Sequence, residues 1–210
     1  MKTILFQGDS ITDALRVKTA RLNLPGTETG IGYALFVNAE LGLEYPGEYT
    51  VINKGIYGSR VTDLYARIKA DIINLKPDIL SILIGVNDVW HEFNFGDGVS
   101  AEKYYKIYSM LIEEIKDALP DIRIIIMEPF ALKGTETEKW WDDFQCEVKK
   151  RAEKARKVAE KYNLEFIPLQ DKFDAASQTA PNEYWLRDGV HPTAAGHELL
   201  KNEWMRQFFY

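Results

Sequence analysis

The chain has 210 residues, of which 46% are hydrophobic and only one, Cys146, is a cysteine. This length and composition suit one compact domain over residues 1–210, and they exclude an internal disulfide or a cysteine-based metal site. The formal net charge of -6 argues against nucleic acid or an anionic membrane as the main partner. Without a signal-peptide pattern or a membrane-length apolar run, we expect a cytoplasmic protein.

Strand-like and helical patterns alternate along the whole chain. Short runs rich in Ile, Leu and Val predict strands at 3–6, 50–53, 78–84, 123–127 and 165–168. Helical patterns lie between and after them, at 32–43, 61–75, 101–118, 140–162 and 194–209. This alternation predicts an α/β fold with a five-stranded parallel sheet and helices on both faces.

Three connections are long enough to be functional loops: 15–30, 90–99 and 129–139. The first two follow the first and third predicted strands, and we place all three on the carboxyl side of the sheet. Ligands of open parallel sheets bind on that side. A pocket wall or lid is therefore expected there.

The first strand ends in Gly8-Asp9-Ser10. A serine that leaves the first strand of a parallel sheet is well placed for chemistry, which makes Ser10 a candidate nucleophile. Taken alone, the motif is more typical of an ordinary strand-to-helix turn with Ser10 as a helix cap.

The segment Asp188-Gly189-Val190-His191-Pro192 precedes the last helix. Serine chemistry needs a base that takes the hydroxyl proton and a carboxylate that orients the imidazole. An aspartate three residues before a histidine, in a turn with glycine and proline, supplies both groups from one loop. His191 is thus the candidate base and Asp188 its partner. His197, in the last helix, is interpreted as structural or surface, and His91 as a possible pocket residue.

Acyl transfer also needs hydrogen-bond donors for the developing oxyanion. The candidate donors are the backbone N–H groups of Ser10 and Gly58 and the side-chain amide of Asn87, which follow the first, second and third strands. Each of the last two also suits an ordinary turn when considered alone. Together with Ser10 and His191 they indicate an ester hydrolase.

With these residues in place, the chain resembles the SGNH hydrolases of the GDSL esterase/lipase superfamily. The signature residues of that family would be Ser10, Gly58, Asn87 and His191, with Asp188 completing the triad. Within the superfamily the chain is most similar to bacterial serine acetylxylan esterases. The resemblance implies a flavodoxin-like three-layer α/β/α sandwich and deacetylation of xylan or xylo-oligosaccharides without a cofactor or a metal.

Candidate substrate contacts are Asp9, Tyr57, Trp90 and Trp185. Tyr57 departs from the small residue that these esterases tend to carry, and flat tryptophan faces suit stacking on sugar rings. The partner is expected to be a small-molecule or oligosaccharide ester. The aromatic end of the chain, Trp204 with 208–210, makes a homo-oligomer possible.

Several alternatives stay open at this point. Within the esterases these are a lysophospholipase, a thioesterase and a broad short-chain carboxylesterase. From other classes come a metal-dependent phosphoesterase, which the scarcity of histidines disfavours, and a flavodoxin-like module for nucleotide or flavin, which lacks the Gly-rich phosphate loop.

Overall fold

The computed structural model describes residues 1–18 and 27–209. Five strands form one sheet: β1 (Lys2–Gly8), β2 (Tyr49–Asn53), β3 (Ile79–Leu83), β4 (Arg123–Met127) and β5 (Glu165–Ile167). All neighbouring strands are parallel, and their order is β2-β1-β3-β4-β5. This is the flavodoxin-like order, in which β1 lies inside the sheet. The predicted five-stranded parallel sheet is confirmed.

The longer helices lie between the strands and after the last one. They are α2 (Tyr33–Glu44), α5 (Val86–Phe95), α6 (Ala101–Ala118), α7 (Trp141–Tyr162), α8 (Gln170–Ser177) and α10 (Ala194–Phe209). Shorter ones are α1 (Ser10–Asp13), α3 (Val61–Ala66), α4 (Ile68–Asp71) and α9 (Asn182–Trp185), with 3₁₀ turns at Thr27–Thr29, Ile73–Leu75 and Glu138–Trp140. Within the described residues, no helix is both long and apolar enough to cross a membrane.

The sheet has an apolar core on each face because successive side chains of a strand point in opposite directions. In β1, Ile4 and Phe6 belong to the apolar core on one face, which also contains residues of α2 and α10. Leu5 belongs to the core on the other face, with residues of α3, α6 and the second half of α7. On the first face, the indole N–H of Trp204 donates to Ser81 Oγ at 3.1 Å. The three-layer α/β/α arrangement is therefore as expected.

The structure corrects the predicted elements in two places. The first part of the expected loop 90–99 is helical, because Val86, Val89, Trp90 and Phe93 recur at helical spacing and pack on the core. The helix ends only at Gly96, which has a φ of +69°.

The second correction concerns the expected helix 61–75, which is divided into α3, α4 and a 3₁₀ turn. The backbone leaves helical angles at Arg67, whose guanidinium donates to Ser59 Oγ at 3.0 Å and to Gln7 Oε1 at 3.2 Å. Helices α8 and α9 were not predicted. Half of the expected loop 15–30, namely residues 19–26, lies outside the described residues.

Candidate active site

Ser10 is the first residue of α1, directly beyond the carboxyl end of β1. A Cβ atom on Gly8 would lie 2.4 Å from both Leu83 O and Thr12 Oγ1, so the strand passes this point only with a glycine. Asp9 caps α1, since its Oδ1 accepts the N–H of Ile11 at 2.9 Å. The sequence around Ser10 thus turns sharply and presents the serine at the edge where parallel sheets bind ligands.

The segment after β2 is tied to the α1 segment. Asn53 is buried, and its Nδ2 donates to Thr12 O at 2.6 Å and to Thr29 O at 2.9 Å. This places Gly58, with a φ of +75°, in the same cavity as Ser10. Glycine suits the site because a positive φ strains other residues.

Asp188 and His191 belong to one closed loop. An isolated antiparallel bridge joins Leu186 to Pro192, and Arg187 N–H donates to His191 O at 3.0 Å. Asp188 and His191 are therefore held in contact within one short loop, the arrangement that the spacing of the motif predicted.

Ser10, His191 and Asp188 form a continuous hydrogen-bonded chain. Ser10 Oγ lies 2.9 Å from His191 Nε2, and His191 Nδ1 lies 2.7 Å from Asp188 Oδ2. Burial by itself raises the pKa of Asp188, but hydrogen bonds from the ring and backbone of His191 and from Val190 N–H outweigh it and lower the pKa to about 2. The carboxylate is thus ionised and orients the imidazole at neutral pH.

The three proposed oxyanion donors line one cavity of about 500 Å³, called here the Asn87 cavity, which also contains Tyr57, Trp90 and His191. Asn87 lies in the first turn of α5, and its Nδ2 donates one hydrogen to Ser59 O at 3.2 Å. An amide carries two such hydrogens, so one remains for a ligand. In the described part of the chain, the backbone N–H groups of Ser10 and Gly58 donate to no other atom.

The four expected substrate contacts lie in different environments. The ring of Tyr57 is 72% exposed and parallel to that of His191, at 6.4 Å. Trp90 lies on the other side of the Asn87 cavity, 5.7 Å from the same imidazole. Trp185 packs against Tyr184 and the core and does not line the Asn87 cavity. Asp9 is buried at 1% exposure, so the structure corrects its role from substrate contact to helix cap.

Sequence reasoning missed the residues that support the Asp188 loop. A Cβ on Gly134 would lie 2.4 Å from the carbonyl carbon of Asp188 and from Gly189 N. Thr137 is fully buried, and its Oγ1 donates to Leu132 O at 2.8 Å and accepts Gly134 N–H at 2.9 Å. The only sequence signal for this support was the length of the connection 129–139.

The other two histidines differ from His191. His197 is buried, and its Nδ1 accepts the N–H of Tyr33 at 3.2 Å; burial lowers its pKa to about 4. It is a neutral structural group, as predicted. His91 lines the Asn87 cavity, with its Nδ1 3.2 Å from Asp97 Oδ1.

Asp9 is an unusual buried acid next to the candidate nucleophile. Burial raises its pKa to about 7, although the Ile11 N–H and the nearby His191 act in the opposite direction. Within residues 1–18 and 27–209, its Oδ2 has no hydrogen-bond partner. The fold therefore favours the neutral acid.

We expect Asp9→Asn to stabilise the protein at about pH 8 and to change stability little below about pH 4. Between those values the unfolded chain releases a proton that folded Asp9 retains, so wild-type stability falls as pH rises through this window. The difference in the free energy of unfolding between Asp9→Asn and wild type approaches about 4 kcal/mol, because each pKa unit corresponds to about 1.36 kcal/mol. Asparagine keeps an oxygen for the Ile11 N–H and remains a good helix cap.

Urea unfolding at about pH 8 and below about pH 4 measures the difference in stability between Asp9→Asn and wild type. Asp117→Asn, on the exposed side of α6, is the matched control. A stability difference between Asp9→Asn and wild type that is equal at the two pH values would contradict the expectation.

Comparison with known proteins agrees with this geometry. Residues 6–199 match the GDSL-like lipase/acylhydrolase family. The acetylxylan esterase of Geobacillus stearothermophilus is 34% identical over 209 residues, covering 97% of this chain and 92% of that enzyme. A multidomain esterase of Ruminococcus flavefaciens is 27% identical over 63% of this chain and 16% of its own length.

Solved structures give the same result. A protein of the GDSL-like lipase type from Parabacteroides merdae has a TM-score of 0.90 and 38% identity, covering 98% of this chain and 94% of its own. The Geobacillus acetylxylan esterase has a TM-score of 0.86 and 32% identity, covering 100% of this chain and 94% of its own. The resemblance drawn from the motifs is confirmed: the chain belongs to the GDSL-like lipase/acylhydrolase family.

Proposed function

We propose that this protein is a serine esterase that removes acetyl groups from xylo-oligosaccharides or a related carbohydrate. The observation that carries the proposal is the chain of hydrogen bonds from Ser10 through His191 to Asp188, beside the donors of the Asn87 cavity. The near full-length similarity to an acetylxylan esterase supports the substrate class.

The catalytic variants of that relative support the assignment of residues. They replace a serine, an aspartate and a histidine, and the last two are three positions apart. Asp188 and His191 have the same separation in this chain. We accordingly assign Ser10 as nucleophile, His191 as general base and Asp188 as the group that orients the base.

In the first step, Ser10 Oγ attacks the ester carbonyl while His191 Nε2 takes its proton. Asp188 keeps the other ring proton on Nδ1 and stabilises the imidazolium that forms. The oxyanion accepts hydrogen bonds from Ser10 N–H, Gly58 N–H and the free hydrogen of Asn87 Nδ2.

The imidazolium then donates its proton to the oxygen of the leaving alcohol, and the carbon–oxygen bond of the ester breaks. Water attacks the acyl-enzyme in a second cycle, with His191 again as base, and releases the acid and free Ser10. Every proton moved in these steps passes through His191 Nε2.

Substrate contacts follow from the two aromatic side chains beside His191. Tyr57 offers an exposed flat ring for stacking on a sugar, and Trp90 forms the wall of the Asn87 cavity. The single domain over 1–210, the cytoplasmic location, the lack of a cofactor and a homo-oligomeric state remain predictions. Light scattering of the eluted protein measures the last of these.

The test is acetate release from acetylated xylo-oligosaccharides, measured beside aryl esters from acetate to octanoate. We expect fast release from the sugar and a steep fall beyond short acyl groups, since a missing or extra methylene is worth about 10- to 200-fold in a fitted site. Ser10→Ala provides the blank.

Strong hydrolysis of aryl acetate without release from the sugar would keep the mechanism and reject the carbohydrate substrate. A preference for long acyl chains would instead indicate a lysophospholipase or thioesterase.

A further inference from the structure

A second cavity, called here the Arg187 cavity, opens at Ser10. Its volume is about 480 Å³, and it shares Ser10, Tyr57 and His191 with the Asn87 cavity. The rest of its wall includes three cationic residues, Arg16, Lys18 and Arg187, together with the carboxylate of Asp13. This is a local reversal of charge in a chain with a formal net charge of -6.

The three cations are neutralised to different degrees. Lys18 Nζ lies 2.5 Å from Asp13 Oδ2 and forms an ion pair with it. Arg16 Nε donates to the neutral carbonyl of Gly55 at 2.8 Å. The side chain of Arg187 is 69% exposed, and its Nε is 3.5 Å from Asp188 Oδ2, an atom that also holds the His191 ring.

Asp13 thus pairs directly with Lys18 and acts on Arg16 electrostatically, and Asp188 lies beside Nε of Arg187. Both guanidinium groups line the cavity. In the part of the chain that the structure describes, the recorded contact of the Arg187 guanidinium with another residue is made through Nε and not through its terminal nitrogens. A planar guanidinium with free N–H groups is suited to bind a carboxylate through two parallel hydrogen bonds.

The relative that deacetylates xylo-oligosaccharides differs at this position. In the Geobacillus enzyme the residue immediately before the catalytic aspartate is a tryptophan. In this chain the residue immediately before Asp188 is Arg187. At the position before the aspartate, this chain therefore has a cation, which lines the cavity next to Ser10, where that enzyme has a neutral aromatic residue.

We infer that the Arg187 cavity binds the alcohol portion of the ester, and that this portion carries a carboxylate that pairs with Arg187 and Arg16. An acetyl group has no charge, so the anionic group must belong to the alcohol. His191, which protonates the leaving oxygen, lines the same cavity. The preferred substrate is then an acetylated oligosaccharide that bears a uronic acid. This inference rests on the proposed function and specifies its substrate.

The experiment compares kcat/KM for two acetylated xylo-oligosaccharides that differ only in one uronic acid substituent. At low salt we expect the kcat/KM of wild type to be about three- to tenfold higher for the uronate substrate, which is the size of effect that a partly exposed charge pair produces. The difference should lie mainly in KM. Roughly 0.5 M salt should remove most of this preference. Arg187→Gln and Arg187→Trp should each lower the ratio of the two kcat/KM values severalfold.

Arg206→Gln is the matched control, because Arg206 is an exposed arginine near the far end of α10 and pairs with Glu203. It removes one positive charge from the protein and should leave the ratio unchanged. An effect of Arg187 on the triad would alter hydrolysis of both substrates equally and cancel in the ratio.

Equal kcat/KM values for the two sugars in wild type would overturn the inference while leaving the proposed function intact. A preference that persists in both Arg187 variants or in high salt would also overturn it. Hydrolysis of aryl acetate with neither sugar deacetylated would reject the carbohydrate substrate and the inference together.

Discussion

Replacing Ser10 with alanine is expected to lower kcat by about 10⁴- to 10⁶-fold, the range found when a triad nucleophile is removed. In the proposed mechanism Ser10 Oγ is the attacking oxygen, and His191 Nε2, 2.9 Å away, takes its proton. Alanine has neither this oxygen nor this proton. Hydrolysis of an aryl acetate measures the loss. The residual rate reports what the oxyanion donors and the base contribute without the covalent intermediate.

The matched control is Ser177→Ala at the end of α8, where the hydroxyl donates to Asp174 O. That variant should keep wild-type turnover, and thermal unfolding should show that both variants are folded. If Ser10→Ala retained more than about one per cent of the wild-type kcat, the nucleophile would be another residue and the two-step mechanism would be wrong.

Asn87→Ala is expected to lower kcat by about 100- to 1,000-fold, with a much smaller change in KM. Single oxyanion donors have effects of this size because they act on charge that develops only in the transition state. Asn87 is 4% exposed, and its bond to Ser59 O fixes the amide so that the second hydrogen points to a defined place. Complete saturation curves with an aryl acetate separate the effect on kcat from that on KM.

Asn94→Ala is the control for this variant, since Asn94 is exposed and lines the same cavity. We expect it to change kcat by less than about threefold, as surface substitutions generally do. An Asn87→Ala enzyme with turnover similar to that of Asn94→Ala would leave oxyanion stabilisation to the backbone donors alone.

The features that depend on local pattern were predictable from the sequence. Apolar runs gave the five strands, and the short interval from Asp188 to His191 placed two interacting side chains in one loop. The carboxyl ends of parallel strands meet at one edge of a sheet, so the motifs after β1, β2 and β3 were expected together. Ser10, Gly58 and Asn87 do line one cavity.

Features that depend on tertiary contact were not predictable. Asp9 was expected to contact the substrate, but the direction of its side chain is set by the N–H of Ile11 and by burial. The N-terminal part of α5 resembled a turn because Asn87 and Asp88 are poor helix formers. Asp88 instead accepts the N–H of Val61 from a distant segment, and that contact exists only in the folded chain.

The support of the loop that holds Asp188 and His191 shows the same limit. Gly134 is required because the backbone at Asp188, 54 positions further along the chain, passes very close to it. Nothing in the sequence of a long loop indicates which distant segment a glycine will contact. The charge of the Arg187 cavity likewise arises from two regions, 16–18 and the residue before Asp188, that only the fold unites.

In the proposed mechanism the nucleophile, Ser10, and the base, His191, are 181 positions apart, one beside the first strand and the other just before the last helix. A ribosome completes the serine, the glycine and the amide of the oxyanion site long before it reaches the histidine. During synthesis the growing chain therefore holds a nucleophile that no base can activate. On the proposed mechanism, ester hydrolysis requires that the segment carrying Asp188 and His191 has been synthesised and has folded against Ser10, so the order of the chain would keep the incomplete protein inactive.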